Sequence, residues 1–381
     1  MNLMPALGLL TVILVSACHD SKDKHTPVEP APEPAPDFSN VDQHLEDFIN
    51  QNPAFSGASI VLVDKEDGAI HEEVFGDHSL DTIVLLASVS KMTTASLLMA
   101  LADDDDKVNF EIDEQISNYL PWQGVWPGVT TKHLLSNRSG IPGIDQLGGY
   151  GAHLCQIFPV GQLQTCGQII YQTPLPDLIS SPANTAFDYG GSQWQLAGAV
   201  AEIVGGASFA QLFDQYIAGP CELEIFRYGN NLTSATDWDG NVDSLVGLDN
   251  PNAEAGAASN LSDYAKLLSM HLNDGSCGDT QVLSKEAVEF MRIERSTPAD
   301  TQQDRGYAMG WWVKPALDGD SSYLYFATGV SGPVAWIDLK RNYGGYVALE
   351  DYALADVGGG TGMVVEELIP LIEQALDAVA E

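Results

Sequence analysis

Residues 85–102 read LLASVSKMTTASLLMALA, an apolar run holding Lys91 three positions after Ser88. No other residue between Asp81 and Asp103 carries a charge. On a helix, positions i and i+3 share a face, so the amine stands about one turn along from the hydroxyl. A serine at a helix start lies in the positive end of the backbone dipole, which favours a developing alkoxide. Burial lowers an amine's pKa, and a neutral amine can take the serine's proton. The pattern is that of a serine nucleophile with a lysine base. Spacing alone does not establish it, since Ser21 and Lys24 in a polar N-terminal stretch match it too. The bland alternative is a lysine that snorkels from a partly buried helix. The lack of charged neighbours along residues 85–102 weighs against it.

Elements from distant parts of the chain must hold this pair. The stretch GASIVLVDKEDGAIHEEVFG alternates and turns at Asp67-Gly68, the pattern of a hairpin. Near the other end GYAMGWWVKP, SSYLYFATG, VAWIDLK and GGYVALEDY read as four strands, followed by an amphipathic helix over 364–379. Helical patterns cover 88–101, 193–204, 208–216 and 262–272. The expected fold is therefore α+β: N- and C-terminal strands pair in one antiparallel sheet flanked by helices, and a mostly helical insertion spans roughly 103–260. A cleft is expected between the two layers.

Further segments resemble one family. Ser88-Val-Ser-Lys91 resembles the nucleophile motif of the serine β-lactamase and penicillin-binding superfamily. LLSNRSGIPGI, ANTAFDYGGSQWQLAGAVAEIVGG, GYAMGWWV and YFATGVSGPVAWIDL resemble its later segments, in order. The similarity runs from about residue 41 to the C-terminus and is greatest to the branch of class C β-lactamases, D,D-peptidases and family VIII esterases. It implies an acyl-enzyme on Ser88, with Tyr189, at the tyrosine of the family's Y-x-N motif, shuttling a proton together with Lys91. Tyr228-Gly-Asn230 matches Y-x-N literally but does not lie just before a helix, so Tyr189 is preferred. Gly191 stands where the family has asparagine, and an amide that would orient substrate is missing.

The family's third motif, K-T-G or H-T-G, is here Ala327-Thr328-Gly329. A strand glycine lets substrate approach the backbone, and the backbone N–H groups of Ser88 and Val330 would form the oxyanion hole. A cation or imidazole for a substrate carboxylate is lost at Ala327. The chain carries 16 Lys+Arg against 53 Asp+Glu, a formal net charge of −37, which repels such a carboxylate further. Small uncharged esters are thus favoured over penicillins or peptidoglycan stems. A D,D-carboxypeptidase or β-lactamase is the alternative, and a non-catalytic binding protein on the same fold is the alternative of another class.

The same charge disfavours nucleic acid and anionic membrane surfaces as partners. With 381 residues, 45% of them hydrophobic, the chain can bury a large core. Residues 1–17 read as a signal peptide, and Val15-Ser-Ala-Cys18 resembles a bacterial lipobox with Cys18 as the lipidated residue. Ordinary cleavage near Ala17 competes with it, and either places the protein outside the cytoplasm, in the periplasm or anchored to the outer membrane. Residues 18–38, Pro-rich towards their end, read as a tether, leaving 39–381 as the folded domain. Cys155, Cys166, Cys221 and Cys277 then form an even set in an oxidising compartment, open to three pairings. The short loop in HLCQIFPVGQLQTC favours Cys155–Cys166 and hence Cys221–Cys277. No H-E-x-x-H or C-x-x-C occurs, so no metal or cofactor is expected, and no G-x-S-x-G suggests an α/β-hydrolase. No apolar seam suggests an oligomer, and a monomer is expected.

Overall fold

A computed structural model of the chain describes residues 35–66, 68–144, 151–176, 180–315 and 323–380. The segments expected to be a signal peptide and most of a tether lie outside the described residues together with Cys18, as do Asp67 of the expected hairpin turn and residues 145–150 and 177–179 of the expected helical insertion.

Twelve strands are present among the described residues: β1 (Gly57–Asp64), β2 (Ala69–Gly76), β3 (Val84–Leu85), β4 (Arg227–Tyr228), β5 (Ala257–Ser259), β6 (Ser276–Cys277), β7 (Thr280–Gln281), β8 (Gly306–Tyr307), β9 (Trp312–Pro315), β10 (Tyr323–Thr328), β11 (Val334–Asp338) and β12 (Tyr343–Leu349). Seven of them form one sheet in the order β2-β1-β12-β11-β10-β9-β8, with each neighbouring pair antiparallel. As expected, the two ends of the chain meet in it: β1 lies between β2 and β12, with Ala58 opposite Leu349 and Asp64 opposite Tyr343.

Alternation along the strands divides the core into two layers. Ile60, Leu62, Phe326, Trp336 and Val347 face a cluster completed by helices α1 (Ser39–Gln51) and α7 (Ile369–Ala380). Val61, Val63, Ala327, Ala335 and Ala348 face the opposite, larger cluster. That cluster is completed by α2 (Ser90–Asp103), α3 (Leu163–Gln172), α4 (Gly191–Gly205), α5 (Leu261–Leu272) and α6 (Lys285–Arg292). The expected alternation fails in β1, where burial on both faces makes residues 60–63 apolar without a break, whereas the edge strand β2 exposes Glu72 and Glu73. Helices α2 and α4 are buried along most of their length, which is why neither shows a polar stripe.

Two expectations are corrected. GYAMGWWVKP is not one strand but two, β8 and β9, folded back at Gly310. Gly310 has φ +80°, and a Cβ there would come within 2.9 Å of the backbone of Met92. The hairpin thus presses on the first turn of α2, a close approach that only a bare Cα allows. The helix expected over 208–216 is an α-helix at Phe209–Phe213 that widens into a π-turn at Asp214–Ala218. Helix α1 was not anticipated. Cys155–Cys166 and Cys221–Cys277 are bridged, with Cα–Cα separations of 5.5 and 5.0 Å.

Candidate active site

The segment before α2 is pinned by a small three-stranded sheet, β3-β5-β4. Leu86 N donates to Ala257 O at 2.8 Å, and Ala257 N donates to Ser90 Oγ at 3.0 Å. Between these anchors Ala87 takes φ 46°, a left-handed conformation that costs a non-glycine residue roughly 1–2 kcal/mol. Ser88 follows in a single 3₁₀ turn, Ala87–Val89, immediately ahead of α2 rather than on its first α-turn. Its side chain is half-buried, while Lys91 is buried to 1% exposure.

Lys91 does not snorkel. Its Nζ donates to Ser88 Oγ at 2.9 Å, to Glu254 Oε2 at 3.1 Å and to the Glu254 carbonyl at 3.4 Å. It also lies 4.7 Å from the ring centre of Tyr189 and 5.9 Å from that of Trp194. The expectation of a lysine made neutral by burial is corrected here. Burial is the largest influence on Lys91 and pulls its pKa down, but Tyr189 and Glu254 together outweigh it and hold the pKa above the ordinary lysine value. Tyr189 is the larger of the two raising influences, and the Glu254 carboxylate 3.1 Å away is the next. The resting amine is an ammonium.

Glu254 is a site residue that sequence reading missed. It lies three residues before β5, so the segment that pins Ser90 also places this carboxylate. Asn252 Oδ1 accepts from the backbone N–H groups of Glu254 and Ala255, at 3.0 and 2.9 Å. The carboxylate fills the space beside Gly191 at the start of α4: a Cβ built on Gly191 would overlap its Oε1 and Cδ. Gly191 therefore borders Glu254 at the position where an amide was found missing. Nothing in the sequence marked the carboxylate that occupies this space.

Tyr189 precedes α4 and is half-buried. Its ring stacks on Trp312 at 5.2 Å and meets Tyr307 edge-on at 5.9 Å. The rival Tyr228 is a core residue. Its hydroxyl contacts Thr93 Oγ1 at 2.5 Å and Thr94 Oγ1 at 2.9 Å and donates to the Ser90 carbonyl at 3.0 Å. Asn230 is likewise spent, its amide donating to the carbonyls of Gln156, Phe158 and Asn250.

Ala327, Thr328, Gly329 and Val330 lie at the end of β10, which packs on the Ser88 turn. A Cβ on Gly329 would come 2.6 Å from the Leu86 carbonyl. The glycine thus serves the approach of this strand to the nucleophile segment, where approach by substrate was the expected reason. Val330 is exposed. Beside it a cavity of about 70 Å³ abuts the turn, its mostly apolar wall including Leu85, Ala87, Leu232, Val330 and Leu354, with Asn231, Ser331 and Tyr352 as its polar members. Among the described residues no cluster of His, Cys, Asp or Glu could hold a metal ion.

The family model of the beta-lactamases matches residues 43–356. The chain belongs to the beta-lactamase family. Solved structures with this beta-lactamase fold include EstCE1, a hydrolase with promiscuous acyltransferase activity, at 18% identity and a TM-score of 0.69 over 90% of this chain and 98% of that one. The octameric penicillin-binding protein homologue from Pyrococcus abyssi matches at 20% identity and 0.66, over 88% and 78% of the two chains. The D-amino acid amidase from Ochrobactrum anthropi matches at 15% and 0.62, over 90% and 99%. At these identities the likeness shows the fold. No curated protein matches the sequence.

Proposed function

We propose that this beta-lactamase-family protein is an exported serine hydrolase that cleaves small, uncharged carboxylic esters through an acyl-enzyme on Ser88. The observation that carries the reading is the 2.9 Å contact between Ser88 Oγ and a fully buried Lys91 Nζ. A half-buried hydroxyl next to the buried amine has the reach of a nucleophile and its proton partner. Ser88 Oγ attacks the ester carbonyl, the backbone N–H groups of Ser88 and Val330 receive the oxyanion, and Tyr189 with Lys91 returns a proton to the leaving alcohol. Water then releases the acid by the reverse path. The ester preference rests on three features. Ala327 offers no charge to a substrate carboxylate, the chain carries a net −37, and the small, mostly apolar cavity at Val330 suits a short acyl chain.

Hydrolysis of p-nitrophenyl acetate by residues 37–381 tests this. Turnover is expected in the parent and a loss of at least about 10³-fold in Ser88→Ala and Lys91→Ala, with labelling by a fluorophosphonate absent only from Ser88→Ala. Labelling that survives Ser88→Ala would exclude the nucleophile. A folded parent that neither turns over nor labels would favour a binding protein, and preferential cleavage of a penicillin would favour the amide reading.

A further inference from the structure

A lysine held as an ammonium cannot accept the serine's proton unless it gives one up. The oxygen partners of Nζ in the site are Ser88 Oγ, the Glu254 carbonyl, the Glu254 carboxylate and the Tyr189 hydroxyl, and of these the carboxylate is the one that becomes uncharged on taking a proton. The carboxylate is close to closed off from water, with its side chain 9% exposed. Gly191 leaves it the room to stand there, because any side chain at that position would displace it.

We infer that Glu254 is a positioning residue that holds Lys91 against Ser88 and receives a proton from it at the moment Ser88 gives one. The inference rests on the serine-hydrolase reading above and deepens it. In acylation Nζ first passes a proton to Glu254 Oε2, and the lone pair this frees then takes the Ser88 Oγ–H proton. The Oγ–carbon bond forms and the carbonyl π pair moves onto oxygen. When the tetrahedral adduct collapses, the bond to the alcohol oxygen breaks with its electron pair. That oxygen takes the Tyr189 hydroxyl proton, Tyr189 takes one from Lys91, and Lys91 recovers the one held by Glu254. The site is restored as ammonium and carboxylate, one acyl group heavier. A proton moved within a buried ion pair changes no net charge, so the site exchanges none with solvent during the step. The titratable groups facing Lys91 are Glu254, from the loop before β5, and Tyr189, from the segment before α4. Tyr307 on β8 lies behind Tyr189. Tyr307 is itself fully buried and held well above the usual tyrosine range, by burial first and then by Tyr189.

The test is the pH profile of kcat/KM for p-nitrophenyl acetate in the parent, Glu254→Gln, Glu254→Asp and Gly191→Ala, with circular dichroism and melting to confirm folding. The parent is expected to be nearly constant between about pH 6 and pH 8. In Glu254→Gln the acceptor is gone, so Lys91 works only after losing its proton to water. Its kcat/KM is expected to fall at least ten-fold at pH 7 and to climb with pH. Glu254→Asp should recover part of the loss without the new slope. Gly191→Ala should behave like Glu254→Gln, because it pushes the carboxylate aside, and it serves as the test if Glu254→Gln fails to fold. A Glu254→Gln profile parallel to the parent, whether equal or uniformly lower, overturns the relay and leaves Glu254 a packing residue. Activity that persists in Ser88→Ala overturns the serine reading itself, and the two failures are therefore distinguishable.

Discussion

An ammonium and a carboxylate 3.1 Å apart behind a half-buried serine make the charge of this site zero before any substrate arrives. Breaking one partner of such a buried pair strands the other, at a cost of roughly 3–5 kcal/mol. For that reason Lys91 substitutions are best judged by Ser88 labelling and melting together. Tyr189 is the gentler probe, since its ring is held by Trp312 and Tyr307 whether or not it bears a hydroxyl. Tyr189→Phe is expected to keep the fold and KM while lowering kcat by about 10²–10³, the usual worth of a positioned proton donor. Steady-state kinetics on one ester decide it. Ser88 and Lys91 were legible because a lone charge in an apolar helix is conspicuous. Tyr189 was legible only through its resemblance to the tyrosine of the family's Y-x-N motif, with its place before a helix deciding against Tyr228. Glu254 was not legible: one acid among 53 acidic residues, in a loop with no periodicity, carries no sign of burial until the fold encloses it.

Among the elements, long apolar strands announced themselves and short ones did not. The hairpin pattern in residues 57–76 and the runs at the C-terminal end predicted the main sheet. The two- and three-residue strands that pin Ser88 are shorter than any period that could reveal them. Helix α1, SNVDQHLEDFINQ, was missed because polar residues outnumber the few, such as Val41 and Leu45, that it buries. The break of GYAMGWWVKP at Gly310 has a functional side, since this turn rests on α2 one residue beyond Lys91. Gly310→Ala adds a methyl where there is no room, at a φ that disfavours it. It is expected to cost about 2–4 kcal/mol and to lower kcat by shifting Lys91. Chemical denaturation and kinetics on the same sample check both effects, and an unchanged midpoint would contradict the contact.

For the molecule as a whole, charge sets two expectations. With a net −37, an ester bearing a carboxylate should show a higher KM than its neutral counterpart at low salt. The gap should narrow as NaCl rises from about 20 mM to about 500 mM, because the screening length shrinks to a few ångströms. Paired substrates assayed across the salt series measure it, and a constant gap would place the discrimination in the cleft instead. Acid acts through buried imidazoles. Burial lowers His153 to about 4 and His271 to about 3 from an ordinary 6.5; for His271, nearby Arg292 adds to the effect. The unfolded chain therefore binds these protons first as pH falls below about 6.5, and their share of stability is lost from there down towards 4 and 3. The thermal midpoint should fall between pH 7 and pH 4.5, with a shallower slope in His271→Gln.

The pairing of β1 with β12 also governs when this protein can exist. The strand beside the edge of the sheet finds its second neighbour only in residues 343–349, after every candidate site residue in chain order. A ribosome that has already delivered Ser88, Lys91, Tyr189 and Glu254 has still not delivered the strand that closes the sheet beneath them. The nascent chain thus carries a full set of reactive groups with no reactive site. Pairing of Tyr343–Leu349 with β1 is what completes the sheet on which those groups stand.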